Sequence, residues 1–426
     1  MNSYAQLQTL RCNSLTELTP QQWDIPSASQ PLLDYDLLLM VENPRLNNLK
    51  HFYLKILGLN RETVGRANAY IVPTDFATFE TGMSSSMKTI VRLIKKLFPG
   101  FMTFNMLECG FFTTLGEALE IADPYSKQTV IKTVADELEQ ICQEDKVDFL
   151  FFRDIPLEAY EIYKSVLAPR GYIPTFGFAN AILDVKWNDL QEFIDSFKSK
   201  DRLKLKNSLL FTEKFDIECK IITDYEHLTS DFAKLWNNVY QSSGDYSREI
   251  LDEKFFTACS SLLKGKSEAI TFWYEGELVG FLLNLFNRDE YFVLDWGVNY
   301  DFKHYRKSNL YRAASVLSVQ QAIKHQKKRM AFGITNYVPK KLIGAEIVPL
   351  IYFVKHVNSN ILTYTLARSL MTQIVQPNFS DYFVQHPKLQ SYADIKNFLY
   401  QEQNQFKNEN IMALFKNKSG QNKSCE

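Results

Sequence analysis

Cysteine is scarce in this chain and scattered. Its six copies (Cys12, Cys109, Cys142, Cys219, Cys259 and Cys425) form no CxxC and no close Cys/His cluster. A zinc module and a disulfide scaffold are both disfavoured, and reduced thiols are the reading that remains. Charge of one sign is also missing: 48 basic residues face 49 acidic ones, for a formal net charge of −1. No global field therefore draws the chain to DNA or RNA. Long apolar runs are absent too; stretches such as Leu37 to Val41 fall far short of the about 20 residues a spanning helix needs. The opening MNSYAQLQTLRCNSLTE lacks the basic start and apolar core of a secretory signal. Nor does the chain contain GxxxxGK[ST], GxSxG, HExxH or GxGxxG. P-loop phosphoryl transfer, α/β-hydrolase chemistry, zincin proteolysis and Rossmann dinucleotide binding all lose support. These absences predict a cytoplasmic protein with no metal, no DNA partner and no transmembrane segment.

What is present is an ordinary globular composition. The 426 residues are 46% hydrophobic and 23% charged, enough for about two to three domains, each with its own core. Aromatic content is 14%, with 32 Phe and 22 Tyr. Such rings fill sheet–helix interfaces; an apolar tunnel for a long acyl chain is the functional alternative. Residues 1–30, broken by Pro20 and Pro26 and followed by Pro31, read as a flexible leader.

DYDLLLMVE then reads as a strand, LNNLKHFYLKILGL as a helix and Thr81 to Ser86 as a loop. MKTIVRLIKKLF reads as a basic amphipathic helix stopped by Pro99-Gly100. FMTFNMLECGFF follows as a strand. Val130, Ile131, Val134, Leu138 and Ile141 recur at helical spacing after Asp123-Pro124. VDFLFF is a buried strand, LEAYEIYKSVLA a short helix and GYIPTFGFANAILDV a single strand. Leu190, Phe193, Ile194 and Phe197 mark another helix, ahead of the cationic run Lys198, Lys200, Arg202, Lys204 and Lys206. FDIECKII reads as strand and TDYEHLTSDFAKLWNNVY as helix. The meander FWY, ELVGFLLNLF and EYFVLDWGV turns at Tyr274-Glu275-Gly276 and at Asn287-Arg288-Asp289. The helix NLYRAASVLSVQQAIKH, the strand RMAFG, the loop ITNYVPKKLIGA and the strand EIVPLIYFVKH complete the series. The two halves share this order of elements without a residue-level repeat. The expected division is 31–195 and 196–360, with a helical tail and disordered end at 361–426.

The stretch KDRLKLKNS, the meander ending in LDWGVNY, the helix SNLYRAASVLSVQQAIKH and the string FGITNYVPKKLIGAEIVPLIYFVKH together carry a resemblance. From about Asp201 to His356 the chain resembles the GNAT acyltransferase superfamily, in its FemABX-like branch of tandem acyl- and aminoacyltransferases. The resemblance implies an α+β fold of tandem GNAT-like modules. Each would be a mixed, mostly antiparallel, splayed sheet flanked by helices. It also implies transfer of an acyl group from acyl-CoA, or a related activated carrier such as aminoacyl-tRNA, to a small-molecule or peptide amine. A catalytically inert binding protein on the same fold is the rival reading.

The resemblance assigns roles to particular residues. Asp295 is the expected base for the attacking ammonium, and strand alternation would place it with Val293 and Gly297, opposite Leu294 and Trp296. A carboxylate that pairs with an arginine is the structural alternative. The edge amides of Trp296 and Gly297 are expected near the thioester carbonyl. Arg306, Ser308, Asn309 and Arg312 would hold the donor's phosphates at a helix N-terminus, though Arg306-Lys307-Ser308-Asn309-Leu310-Tyr311 lacks the glycines of the family's pyrophosphate loop. Gly333, Thr335 and Tyr337 are expected against the acceptor. Lys340 is assigned to catalysis, with the neighbouring Lys341 weighed as a solvated loop lysine. His304, in the polar loop DFKHYRKSN, reads as a solvated histidine. The cationic run and the helix MKTIVRLIKKLF leave peripheral membrane contact as a further reading, against the plainer one of a solvated face and a helix packed on its own domain.

Overall fold

The structure, a computed structural model, describes residues 7–25, 30–75, 85–243, 248–334, 336–357 and 377–393. Fifteen strands fall into two sheets among these residues. They are β1 (Gln8–Cys12), β2 (Lys50–Leu57), β3 (Thr63–Asp75), β4 (Thr103–Cys109), β5 (Leu119–Ile121), β6 (Phe149–Pro156), β7 (Ile173–Phe176) and β8 (Asn180–Asp184), then β9 (Glu218–Ile222), β10 (Ser267–Tyr274), β11 (Glu277–Phe286), β12 (Glu290–Val298), β13 (Arg329–Ala331), β14 (Glu346–Val348) and β15 (Leu350–His356). The first sheet runs β1-β2-β3-β4-β6-β15-β7, with β5 also on β3; the second runs β14-β8-β13-β12-β11-β10-β9. Every pairing is antiparallel except β4 with β6 and β12 with β13. The chain is thus an α+β protein of two mixed, mostly antiparallel sheets with helices against them.

In each half an antiparallel meander feeds a helix that crosses over to a parallel strand. The first crossover helix, Lys127–Glu144, is capped by the Ser126 hydroxyl, and it buries Val130, Ile131, Val134, Leu138 and Ile141 as their spacing predicts. The second, Leu310–Lys324, buries Ala313, Ala314, Val316, Val319 and Ala322. All five are alanine or β-branched valine of modest volume, so the helix can lie close to the sheet.

The sheets do not divide at one point of the sequence. β8 lies between β13 and β14 of the second sheet, and β15 lies between β6 and β7 of the first. Each half lends one strand to the other, across the expected 195/196 division. GYIPTFGFANAILDV, read as one strand, is therefore two strands in different sheets. Gly177 makes the passage feasible, because a Cβ there would sit 2.1 Å from the Tyr352 ring.

Two other readings reverse. DYDLLLMVE is the helix Tyr35–Glu42, started by the Asp34 carboxylate, which accepts the amides of Asp36 and Leu37. HFYLKIL is β2, held between β1 and β3 with both faces covered. The leader is not wholly loose either: Gln8–Cys12 pairs with β2, and the buried Trp23 donates its ring N–H to Leu33 O at 2.7 Å. Most of the loop expected at residues 81–86 and the helix expected after residue 358 lie outside the described residues.

Candidate active site

The strand pair β12–β13 builds the site. The two strands are paired in parallel over only three residues, Glu290–Phe292 against Arg329–Ala331. Beyond Phe292, β12 continues to Val298 bonded to β11, while the chain after β13 turns away. A fork opens between them. Its first arm carries Asp295, Trp296 and Gly297; its second carries Gly333, Ile334, Tyr337 and Lys340.

On the first arm a β-bulge at Leu294 changes which way the side chains face. Leu283 pairs with Asp295 and Asn284 with Val293, so Leu294 is the extra residue. Such a bulge re-aims the residues after it. Val293 and Trp296 accordingly pack in one core, and Leu294 belongs to the core on the other face. Asp295 is on that second face too, where the helix Thr229–Ser243 lies. Alternation across the bulge had placed Leu294 with Trp296; the extra residue separates them.

The Trp236 ring N–H donates to Asp295 Oδ1 at 3.0 Å, and Oδ2 is shielded from solvent with no partner. Burial raises this carboxyl to about 7, opposed by the Trp236 bond and reinforced by the nearby Glu249 charge. A carboxyl of that affinity exchanges a proton near neutral pH, which suits a general base. Gly297 lets the helix approach, since a Cβ would lie 2.1 Å from the Phe281 ring and 2.8 Å from the Trp236 backbone nitrogen.

Trp296 meets Tyr311 edge-on at 5.5 Å beneath the start of the helix Leu310–Lys324. That start is unusual. A single turn, Tyr305–Ser308, is joined to the helix by Asn309 in the left-handed conformation (φ 49°), and its side chain makes no cap. The buried Ser308 hydroxyl donates to Tyr305 O at 3.3 Å. Leu310 is buried, and Tyr311, its hydroxyl pushed up to about 12 by burial, is largely covered. Arg306 and Lys307 are exposed, and Arg312 keeps a shielded Nε–H without a partner. The turn therefore presents cations at its rim and apolar side chains inward.

The second arm is a latch. Lys340 is buried, and its ammonium donates to Gly333 O at 3.1 Å and Ile334 O at 2.6 Å. Burial lowers its affinity for a proton to about 7. Gly333, at φ +68°, donates its N–H to Asn180 Oδ1 at 3.1 Å, and the Tyr337 hydroxyl donates to Ala179 O at 2.9 Å. The loop is thereby fastened to β8, the strand lent by the first half. Thr335 lies outside the described residues. His304 stacks on Phe215 with centroids 4.8 Å apart, so it is a packed ring at the edge of the sheet. The cations Arg202 and Lys204 pair with Asp195 and Asp201 on the surface.

Sequence reasoning missed Trp236 and Asn180, which lie far along the chain from the residues they touch, and Glu249, whose charge acts on Asp295. It also missed a buried ionic cluster at the equivalent fork of the first sheet, where β4 and β6 pair over Met106–Cys109 and Phe149–Phe152. Glu108 there accepts from the Tyr70 hydroxyl at 2.7 Å, from Arg153 at 2.7 Å and from Arg248 at 2.6 Å. Burial would raise the Glu108 carboxyl, but Arg248 and Arg153 hold it at about 2. Arg153 also bonds Asp154 at 2.9 Å. The one available signal was the charged pair Arg153-Asp154 directly after the apolar run VDFLFF. Among the described residues no group of three or more His, Cys, Asp or Glu side chains could hold a metal ion, and no helix is long and apolar enough to cross a membrane.

Comparison with known proteins gives three findings. Residues 105–335 match the FemAB-like family model, described as peptidoglycan biosynthesis/recognition. Two curated proteins from strains of Mycobacterium tuberculosis, both named putative 8-amino-7-oxononanoate synthase 2, are 40% identical over 351 residues. The match covers 82% of this chain and 45% of theirs, so the chain spans under half the length of these relatives. The crystal structure of FemX superimposes with a TM-score of 0.53 at 12% identity, over 82% of this chain and 98% of that one.

Proposed function

Because this chain belongs to the FemAB-like family, and so is a transferase of the acyltransferase type, we propose that it moves an acyl group from an acyl-CoA thioester to an amine at the β12/β13 fork. The observation that carries this reading is the fork itself. Past Phe292 one edge of β12 has no strand partner among the described residues, and Asp295 beside it holds a carboxyl with an unpartnered oxygen.

An amine acceptor arrives largely as its ammonium and is inert until it loses a proton. Asp295, directly or through one water, takes that proton. The neutral amine then attacks the thioester carbonyl carbon. The carbonyl oxygen becomes an oxyanion, which accepts from a β12 edge N–H near Trp296 and Gly297. Collapse re-forms the carbonyl and breaks the carbon–sulfur bond; the departing thiolate takes the remaining extra proton of the attacking nitrogen, leaving a neutral amide and the free thiol. Arg306 and Arg312 attract the donor's phosphates, with Ser308 and Asn309 setting the backbone of the turn. On the other arm Gly333, Tyr337 and Lys340 border the acceptor, a small molecule or peptide, and Thr335 keeps the acceptor role the resemblance gives it. Lys340 spends two of its three N–H donors on the loop and has one left for the acceptor.

A thermal-shift series tests the donor. Acetyl-CoA or a long-chain acyl-CoA should raise the melting temperature, while free adenosine phosphates should not. No shift with any thioester overturns the acyl-CoA reading. One observation favours a second donor: Leu310 and Tyr311 stand where the family's pyrophosphate loop has glycines, and they narrow the backbone approach for phosphates. An aminoacyl-tRNA donor would bring its reactive ester without a pyrophosphate at that turn. Protection of a charged tRNA from hydrolysis by the protein would support it.

A further inference from the structure

The helix Ser85–Leu97 turns apolar side chains outward. β3 and β4 are paired as far as Asp75 and Thr103, and the helix falls between these two strands in the chain. Ile90, Leu93 and Leu97 occur at i, i+3 and i+7 and are 56%, 57% and 77% exposed; Phe98 follows at 66%. Residues at that spacing share one side of a helix. Val91 and Ile94 are half-buried, and Val91 packs against the protein core. The helix thus rests on the protein by one side of its apolar face and leaves the rest uncovered. Isolated exposed apolar residues need no explanation, but a contiguous stripe marks an interaction surface.

The charges name the partner. The sequence SSMKTIVRLIKKLF carries Lys88, Arg92, Lys95 and Lys96 and no acidic residue. Lys95 is tied to Asp75 on β3, which orients the helix, and Lys96 is exposed beside Leu97. An outward apolar stripe with the exposed Lys96 at its end, on a helix whose sequence is cationic without an acid, complements an anionic lipid surface, where apolar side chains enter the acyl boundary and cations stay at the headgroups.

We propose that this helix and the Phe98 that follows it seat the protein on an anionic bilayer through Ile90, Leu93, Leu97 and Phe98. The proposal goes beyond the transfer reaction and does not depend on its donor. The test is co-sedimentation of the full chain with vesicles of phosphatidylcholine alone, and of equal parts phosphatidylcholine and phosphatidylglycerol. Binding is expected to the mixed vesicles only, and to fall steeply at high salt. Leu93→Asp with Leu97→Asp should lower the bound fraction at least tenfold. Lys96→Glu, which removes no apolar contact, should lower it by roughly fivefold or more. Val384→Asp, at a site 79% exposed on a different helix, should leave it unchanged. Failure to bind the mixed vesicles overturns the proposal. So does binding that survives the double substitution in folded protein, or an equal loss with Val384→Asp. A wild-type dimer that the double variant converts to monomer, with no vesicle binding by either, would assign the face to a second copy.

Discussion

Replacing Asp295 by Asn should stabilise the protein at alkaline pH while disabling it. A carboxyl moved from 3.8 to about 7 disfavours its ionised form in the folded state by roughly 4 kcal/mol. The sign follows from proton binding. Between pH 3.8 and 7 the folded protein holds a proton that the unfolded chain has released, so stability falls as pH rises through that window and stays low above it. Asn keeps an oxygen for the Trp236 N–H and cannot ionise, so the variant should not show this loss. At pH 8 it should melt several degrees above the wild type, and near pH 4 the two should melt together. Turnover should drop by about a hundredfold or more, as expected when a general base is lost. The wild-type rate should rise with pH along a limb near 7, and that limb should vanish in the variant. Melting curves at the two pH values, read beside single-turnover transfer, decide the matter. An Asn variant no more stable than wild type at pH 8 would refute the burial argument; one of undiminished turnover would refute the base assignment.

Lys340 gives the opposite pH signature. Its affinity is lowered from 10.5 to about 7, so stability should rise with pH between those values, and Lys340→Met should flatten that rise. The same variant leaves the Gly333 and Ile334 carbonyls without their donor, at a cost of about 2 kcal/mol in denaturant melts, and should slow transfer about tenfold or more by loosening the acceptor arm. Glu108→Gln should be among the most damaging single changes. It leaves Arg153 and Arg248 without their shared carboxylate, and breaking such a buried pair costs about 3–5 kcal/mol, measurable as a lower denaturant midpoint. Gly297→Ala would force a Cβ against the Trp236 backbone; about 1–3 kcal/mol should be lost, with quenching or shift of the tryptophan emission as the helix moves.

Legibility in the sequence followed the range of the interactions. The helices Lys127–Glu144 and Leu310–Lys324 were readable because their apolar spacing persists for several turns. The strands of the meander were readable because turn residues punctuate them. Tyr35–Glu42 and β2 were exchanged, since a short apolar run has no period of its own and the deciding features were an Asp34 cap and two neighbouring strands. The fate of the site residues was less visible. Asp295 faces Trp236, 59 residues away, because one inserted residue in β12 shifts the pattern, and a bulge leaves no mark in the local sequence. Lys340 sits in ITNYVPKKLIGA, which reads as a loop; its middle is the helix Tyr337–Leu342, which packs beside β8 from the other half and buries Lys340.

That exchange of strands also bears on why the β12–β13 fork is the one proposed as the site. The two forks are built alike, yet their openings differ. At β4–β6 the space beyond the last paired residues is filled by the chain's own ionic groups. Glu108 takes two guanidinium groups, Arg153 leans on Asp154, and Arg248 reaches in from the second half over Phe112 at 4.9 Å. Charges that neutralise one another in a closed space hold the halves together, although Asp154 Oδ1 and the Tyr352 hydroxyl stay unpartnered there. At β12–β13 no such filling occurs among the described residues. Asp295 has an oxygen without a partner, Arg312 an N–H without one, and Lys340 a proton left over. Leaving polar groups unmatched beneath the surface costs stability, and a fold keeps that arrangement where something else completes it. On the proposed reading the first half is a support: it supplies β8, whose neighbourhood holds Gly333 and Tyr337 in place. The second half supplies Asp295, Arg312 and Lys340, whose free bonding capacity a substrate would meet on that reading.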